Sequence, residues 1–347
     1  MGAITVGEGL VRYIDAFNHF FPEKFFAKVL ETPSAAKDVV RITAGIPVVH
    51  DLQARLRLID SFKNYSQILS LPLPPVETLV GPDRSPELAR VGNDGMAELV
   101  IKFPDHFAGY VASLPMNVPE AAAHEAERVL DAGANGLQVY TNVNGAPLDD
   151  PRFLPIFEIA TKSNRPIMLH PVGLPNAPDY PTESRSKYEI WHVLGWPYQT
   201  SVAMARMVFS GIMDRFPDLK IVVHHLGAMI PYFAERAGSF WEYRCARTAD
   251  GELSSAAKRL KKHPTDYFKN FYADTALCGA RAATICGLEY YGPDHLLFAS
   301  DCPFDPENGP GWIREGMAIV DSLDISSEDR EKIRYRNAER LFGLRPT

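Results

Sequence analysis

The sequence has few cysteines and no long apolar run. Only four of its 347 residues are cysteine, and none belongs to a C-x-x-C pair. That is too few for a disulfide-built fold of this length, so we expect reduced thiols and a cytoplasmic protein. No window approaches the roughly 18 uninterrupted apolar residues of a membrane span. The opening residues, MGAITVGEGLVRY, also lack the basic start and apolar core of a signal peptide.

An excess of positive charge is also missing. The 36 lysine and arginine residues are outnumbered by 43 aspartate and glutamate residues, so the formal net charge is −7. This balance gives no electrostatic reason to bind nucleic acid or an anionic membrane. A small carboxylate substrate remains compatible with it, because one or two local arginines can hold a carboxylate whatever the total charge.

No G-x-G-x-x-G motif follows the first apolar run, which disfavours a dinucleotide-binding sheet. The chain instead has eight short apolar runs, each bounded by Gly, Pro, Asn or Asp, as is typical of buried strands. They cover residues 11–17, 67–71, 108–114, 136–140, 166–170, 220–225, 271–275 and 296–300.

Helical patterns lie between most of these runs. Apolar residues spaced three and four apart predict helices over residues 119–133, 152–164, 200–217 and 326–344. Strand and helix alternating about eight times indicates parallel strands joined by crossovers. We therefore predict an α/β fold, a (β/α)8 TIM barrel, with a doubly wound open sheet as the competing architecture.

The predicted barrel is one domain over residues 1–347 with three insertions. They cover about 32–50, 72–95 and 171–199, and each follows the C-terminal end of a strand. Barrel enzymes place their substrate loops on that face, so the first insertion is a candidate flap and the second a candidate lid.

Polar residues end several of the predicted strands. His19 ends the first strand, His170 the fifth, and Asp301 the eighth. A single histidine at a strand end is often structural, and an aspartate there is often a helix cap. In a barrel, however, these ends converge on one mouth, and imidazole with carboxylate is a natural ligand set for zinc or manganese. We therefore favour a functional cluster.

The sixth strand ends in two histidines, His224 and His225. Strand alternation predicts that they point to opposite faces, and we choose His225 for the pocket because it is last before the turn at Gly227. Arg236 follows on the next helix, where it either binds a substrate carboxylate or pairs with an acid of its own helix. His192 is a weaker candidate on the loop after strand five.

Four stretches then resemble a known family. They are GWPYQTSVAMARMVFSGIMDRFPDLKIVVHHLGAMIPYFAERAG, FYADTA, LLFASDCPF and NAERLFGL. Nearly end to end, the chain resembles the amidohydrolase-related decarboxylases, the family of aminocarboxymuconate-semialdehyde decarboxylase and γ-resorcylate decarboxylase. The resemblance implies a distorted barrel of the amidohydrolase-like metal-dependent hydrolase fold, a homodimer, and one divalent metal, zinc or manganese.

Carried over residue by residue, the resemblance implies that His19, His170 and Asp301 are metal ligands. It also implies that His225 handles a proton and that Arg236 faces the substrate. The sequence departs from the family at Phe17, where the family has His or Glu. Phenylalanine cannot bind a metal, so two possibilities remain open: a metal held by three protein ligands with open positions, or a metal-free pocket that keeps its histidines.

We predict a metal-dependent carboxy-lyase that decarboxylates an aromatic or conjugated unsaturated carboxylic acid without oxidation. Asp301 or His225 would protonate the carbon that loses CO₂. Phe17 and Trp196 would line the apolar part of the substrate site, with plain core packing as the alternative. Two other functions stay open: a metal-dependent hydrolase or hydratase acting on a related small carboxylate, and a metal-free, non-catalytic binding protein.

Overall fold

The computed structural model describes residues 11–32, 43, 45–173 and 177–344. In this part of the chain, eight parallel strands lie side by side in chain order. We number them β1 to β8, and they span Tyr13–His19, Tyr65–Ser70, Phe107–Ser113, Gly136–Tyr140, Ile167–His170, Ile221–Val223, Tyr272–Asp274 and Leu296–Leu297. Each lies within or overlaps one of the eight predicted runs.

The sheet closes on itself through the segment that follows β8. The amide of Ala16 donates to the Phe298 carbonyl at 2.9 Å, and the amide of Asp301 donates to the Phe17 carbonyl at 3.1 Å. Strand β1 also carries a register shift between Asp15 and Asn18, which distorts the ring. The predicted (β/α)8 barrel is therefore confirmed, including its distortion.

Helices connect the strands on the outside. The α-helices α1 to α16 span Glu23–Leu30, Leu52–Asp60, Val76–Leu79, Ser85–Lys102, Pro119–Asp131, Leu154–Lys162, Ile190–Val193, Gly195–Phe209, Ile212–Arg215, Ile230–Cys245, Gly251–Arg259, Pro264–Phe268, Arg281–Tyr291, Pro310–Asp321, Ser327–Glu331 and Asn337–Phe342. Short 3₁₀ turns cover Pro47–Val49, Pro151–Phe153, His225–Gly227 and Pro293–His295, and a π turn covers Lys332–Arg336. The described helices contain none that is long and apolar enough to cross a membrane.

Apolar side chains fill both faces of the sheet. The inner cluster takes residues from six different strands and from the closing helix, and it includes Ile14, Ile68, Val111, Met168, Val222, Leu297 and Phe342. The larger outer cluster lies between the strands and the helices. Strands buried on both faces read as continuous apolar runs, which is why they were visible in the sequence.

The predicted insertions contain more regular structure than their sequences indicated. Helix α4 begins at Ser85, so the second half of the 72–95 segment is already crossover helix. Helix α8 begins at Gly195, inside the 171–199 segment. Residues 33–42, 44 and 174–176 of the first and third insertions lie outside the described residues.

Candidate metal centre

Three predicted ligands meet at the C-terminal end of the barrel. His19 is the last residue of β1, His170 is the last residue of β5, and Asp301 follows β8. Nε2 of His19 lies 3.1 Å from Oδ1 of Asp301, and the His19 and His170 rings have centroids 5.4 Å apart. The barrel thus joins side chains that are 282 residues apart in sequence.

His224 is the third histidine of this cluster. His19, His170 and His224 are all buried, and each offers a nitrogen within 4.8 Å of the other two. The prediction that His224 and His225 point to opposite faces is wrong, because their rings lie side by side with centroids 5.1 Å apart.

The cause is a left-handed turn directly after β6. The strand ends at Val223, and His225, Leu226, Gly227 and Ala228 then have φ of 52°, 58°, 72° and 57°. Side chains alternate only along a regular strand, so the turn returns His225 to the mouth. Backbone held in this sparsely populated region costs about 1–3 kcal/mol per residue and is common at functional sites.

The ring nitrogens of His19 have different partners. Ser70, at the end of β2, donates its hydroxyl hydrogen to the Asn18 carbonyl at 2.8 Å. Its oxygen is therefore free to accept from Nδ1 of His19, which lies 3.1 Å away. This arrangement places the hydrogen on Nδ1 and leaves a lone pair on Nε2.

The other two histidines repeat this pattern. Nδ1 of His170 lies 2.5 Å from the carbonyl oxygen of Pro171, which can only accept, so the hydrogen is on Nδ1. Nδ1 of His224 lies 2.5 Å from Oδ2 of Asp274, although the contact is too bent for a regular hydrogen bond. Metal-binding histidines typically have their second nitrogen held by such an acceptor.

Electrostatics favour neutral imidazoles at His170 and His224 and an ionised carboxylate at Asp301. Burial, followed by the positive charge of neighbouring histidines, lowers the pKa of His170 and of His224 well below its usual value. Burial raises the pKa of Asp301, but the hydrogen bonds and charges of His19 and His225 outweigh it, so this pKa lies well below its usual value. Neutral imidazole and carboxylate are the forms that bind a metal.

The cluster fits a divalent cation. With Nδ1 of His19 protonated, the 3.1 Å contact between Nε2 and the Asp301 carboxylate requires either a second proton on Nε2 or a cation bound by both atoms. Nε2 of His224 is buried and has no hydrogen-bond partner. A metal with bonds of about 2.0–2.2 Å holds its donor atoms roughly 3–4 Å apart. The His19–Asp301 pair meets this spacing, and the three histidine nitrogens, within 4.8 Å of one another, would close slightly around the ion.

Asp274, which the sequence analysis missed, supports the site from β7. Burial raises its pKa to about 7. Its Oδ1 accepts from the amides of His225 at 3.0 Å and Ala276 at 3.1 Å, while Oδ2 faces His224. It ends its strand, as His19 and His170 end theirs, so the rule that found those histidines could have found it.

Phe17 and Trp196 both border the cluster. Phe17 is 0% exposed, and its ring contacts His19 with centroids 4.6 Å apart, which confirms that residues 17 and 19 share a face. The Trp196 ring lies 5.6 Å from that of His170, and its indole nitrogen is buried without a hydrogen-bond partner. The His192 ring lies 4.0 Å from that of Trp196.

The predicted proton donor and the predicted substrate arginine occupy different places. Nε2 of His225 lies 3.7 Å from Oδ2 of Asp301, and its side chain is 18% exposed at the mouth. Arg236 is exposed on α10, with its guanidinium 4.6 Å from the centroid of the Phe240 ring on the same helix. A substrate contact for Arg236 stays a prediction.

The family follows from comparison with known proteins. A model of the amidohydrolase family matches residues 69–344, which is most of the chain. The protein therefore belongs to that family, whose name describes a class and not a particular reaction.

Individual relatives are decarboxylases. The chain is 32% identical to γ-resorcylate decarboxylase of Polaromonas sp. strain JS666 over 84% of this chain and 86% of that protein. It is 29% identical to 2-amino-3-carboxymuconate-6-semialdehyde decarboxylase of Dictyostelium discoideum, over 76% of this chain and 69% of that one. The resemblance to this group of decarboxylases is confirmed.

A solved structure gives the same answer for the fold. The crystal structure of dihydroxybenzoic acid decarboxylase from Polaromonas sp. JS666, with bound manganese and the inhibitor 2-nitroresorcinol, superimposes with a TM-score of 0.75. It is 28% identical and matches over 97% of this chain and 98% of that chain.

Proposed function

We propose that this protein is a metal-dependent, non-oxidative decarboxylase of an aromatic or conjugated unsaturated carboxylic acid. The observation that supports it most directly is the set of converging acceptors formed by His19, His170 and Asp301, in which Nε2 of His19 and Oδ1 of Asp301 lie 3.1 Å apart. The curated decarboxylases among its relatives support the type of reaction.

We propose one divalent ion per chain, manganese or zinc. His19, His170 and Asp301 would hold it, and the manganese in the related dihydroxybenzoic acid decarboxylase makes that ion the first to test. When bound, such an ion supplies Lewis-acid stabilisation of negative charge on substrate oxygens. Every other task falls to the side chains of the mouth.

His225 is the proposed proton donor. In the reaction, the bond between the substrate carbon and its carboxylate breaks, the electron pair stays on the carbon, and CO₂ leaves. The carbon then needs one proton, and His225 is partly exposed at the mouth with Nε2 3.7 Å from Asp301. Asp301 is the alternative donor, but its contacts with both His19 and His225 favour the role of a charged ligand and orienting group.

Aromatic and basic side chains are proposed to shape the substrate site. The unpartnered indole N–H of Trp196 is suited to donate to a substrate oxygen. Phe17, being fully covered, would support the ligand histidines from below and contribute an apolar floor. Arg236 would hold a substrate carboxylate with its exposed guanidinium turned towards the mouth of the barrel.

The test is product analysis with a carboxyl-labelled substrate such as 2,6-dihydroxybenzoate, with manganese added and then removed by a chelator. We expect metal-dependent release of labelled CO₂ and formation of the decarboxylated arene. Incorporation of oxygen from labelled water without CO₂ would instead identify a hydrolase or hydratase. Tight metal-independent ligand binding without turnover, across a panel of aromatic and conjugated acids, would identify a binding protein.

We also propose a homodimer of single-domain chains in the cytoplasm. Large apolar side chains are exposed on α8 and α10, including Tyr198 at 57%, Tyr232 at 77% and Phe240 at 54%, and such patches commonly mark subunit contacts. Free thiols at all four cysteines are compatible with a reducing compartment. Light scattering on the purified protein measures the oligomeric state directly.

A further inference from the structure

We propose that His224 is a fourth protein ligand of the metal and that it replaces the ligand lost at position 17. This inference rests on the proposed metal site but not on the identity of the substrate. It assigns Asp274 as the positioning residue that orients His224. The ligand set would then be His19, His170, His224 and Asp301.

The first argument is spatial. The Phe17 and His224 rings adjoin at nearly right angles, and the Phe17 ring also lies beside the rings of His19 and His170, with centroids 4.6 and 5.6 Å away. A coordinating side chain at position 17 would have to reach the same point that His224 reaches from the end of β6. Phe17 therefore serves as the surface against which the His224 ring packs.

The second argument is chemical. His224 has a fully buried ring in which neither nitrogen makes a regular hydrogen bond: Nδ1 has only the bent contact with Asp274, and Nε2 has no hydrogen-bond partner at all. Leaving a buried polar atom unpaired costs about 1–3 kcal/mol, so a histidine present only for packing would be expected to bond at both nitrogens. His170 lies near it, with ring centroids 5.0 Å apart, but Nδ1 of His170 already faces Pro171 and its Nε2 has no hydrogen to donate. A cation shared with His19 and His170 satisfies the unpaired lone pair.

The third argument concerns Asp274. Two backbone amides fix Oδ1 of this carboxylate, so Oδ2 is held 2.5 Å from Nδ1 of His224. A carboxylate behind the remote nitrogen of a ligand histidine fixes its tautomer and makes the other nitrogen more basic. Ser70 and the Pro171 carbonyl take the corresponding places behind His19 and His170. Each of the three histidines thus has its own acceptor.

The native protein allows a direct count of ligand histidines. After replacement of the native ion by Co²⁺, each histidine bound through Nε2 gives one solvent-exchangeable, paramagnetically shifted Nδ1–H proton signal. We expect three such signals in water that vanish in D₂O, one each for His19, His170 and His224. Two signals would overturn the proposal, and the experiment needs no variant that has to fold.

Variants then test whether His224 replaces a metal ligand at position 17. His224→Ala removes a ligand, so Mn²⁺ binding should weaken by at least the roughly 10- to 100-fold that loss of an outer partner causes, measured in competition with a chromophoric chelator on protein whose circular dichroism spectrum is unchanged. Phe17→His in the His224→Ala background should recover most of that loss. His124→Ala is the matched control, because His124 is exposed on α5 and should leave metal affinity unchanged.

Each result has a definite consequence. Unchanged metal affinity in folded His224→Ala would overturn the ligand role. If the double variant binds metal no better than His224→Ala, His224 does not replace a ligand at position 17. His224 would then remain a metal ligand without that relation to Phe17. Asp274→Asn should lower affinity while Co²⁺ still shows three ligand histidines, and unchanged affinity would remove its positioning role.

These readouts are separate from catalysis. If the metal results hold but no tested acid releases CO₂, the proposed function fails and the ligand assignment stands. If CO₂ is released but Co²⁺ reports two histidines, the ligand assignment fails and the function stands.

Discussion

Two buried polar clusters both include residues of β1 and of the segment after β8, and they differ in whether their polar atoms find partners within the protein. In the first cluster, the Asp15 carboxylate accepts from Tyr65 Oη at 2.5 Å, from the Ser300 amide at 3.1 Å and from the Ser300 hydroxyl. The Phe17 amide is a further donor at 3.2 Å. Every oxygen of Asp15 has partners within the protein.

At the mouth, the cluster of His19, His170, His224 and Asp301 is incomplete. Nε2 of His224 has no partner, and Nε2 of His19 faces a carboxylate instead of a donor. Buried polar groups are normally satisfied, so several unsatisfied acceptors that converge on one point need an explanation, and a bound cation supplies one. The comparison teaches that burial and charge alone do not mark a ligand site, whereas unsatisfied acceptors that converge do.

The largest expected effect is on catalysis, from a change to Asp301 in the cluster at the mouth. Asp301→Asn removes one negative charge beside His19 and His225 while keeping the side-chain shape. We expect decarboxylation to fall by about 100- to 10,000-fold, with the circular dichroism spectrum unchanged. Steady-state kinetics beside the exposed control Asp324→Asn measure the effect. Equal turnover in the two variants would reject the role of Asp301.

The second prediction concerns the saturated cluster. Asp15→Ala leaves the Tyr65 and Ser300 donors without their buried acceptor. We expect the free energy of unfolding to fall by about 1–3 kcal/mol for each donor left unpaired, as measured by urea denaturation. Metal affinity of the protein that remains folded should be unchanged. Loss of metal affinity with full stability would invert the proposed roles of the two clusters.

Glu77 is intermediate between the two clusters, because it is buried and unpartnered but stands alone. It is 4% exposed on α3 with both carboxyl oxygens unpartnered, and burial raises its pKa from 4.5 to about 8. Protonation, rather than a cation, removes the charge of this group. Between pH 4.5 and 8 the folded protein holds a proton that the unfolded chain has lost, so the Glu77 contribution to the free energy of unfolding falls as pH rises.

Glu77→Gln should therefore flatten the pH dependence of stability in this window. The wild type should lose up to about 1.4 kcal/mol per pH unit relative to the variant, and little further above pH 8. Denaturation series at pH 5, 6, 7 and 8, within that window, measure the difference. Parallel curves for the two proteins would show that Glu77 is not a buried acid.

The smallest expected effect concerns the rim of the site. Trp196→Phe removes the buried, unpartnered indole N–H and keeps most of the aromatic surface. If that group donates to substrate, KM should rise about 2- to 10-fold, as expected for one neutral hydrogen bond, with metal affinity constant. Tyr198→Phe on the same helix, whose side chain is exposed, is the control. A fall in KM would indicate that the donor opposes binding.

Much of this architecture was predictable, for a physical reason. A parallel strand buried on both faces is an apolar run, so all eight strands were recognisable in the sequence. The C-terminal ends of the strands in a barrel meet at one mouth. That logic brought His19, His170 and Asp301 together. The predicted directions of His224 and His225 were wrong because alternation assumes a regular strand, and φ is positive from His225 to Ala228.

Other features depend on distances that a sequence does not contain. The acceptors behind the histidines come from Ser70 on β2, a backbone carbonyl at Pro171, and Asp274 on β7. A backbone carbonyl leaves no signature in the residue types. Nor does Phe17 alone reveal that another strand supplies a nitrogen to the same point.

The central claim is that the incomplete cluster at the mouth is a metal centre despite Phe17. Elemental analysis of the wild-type protein and His170→Ala, both exchanged with Mn²⁺ and dialysed, tests it most directly. The claim predicts one equivalent of manganese per wild-type chain and almost none in the variant at equal thermal stability. A wild-type protein that retains no metal, or a variant that retains as much, would contradict it.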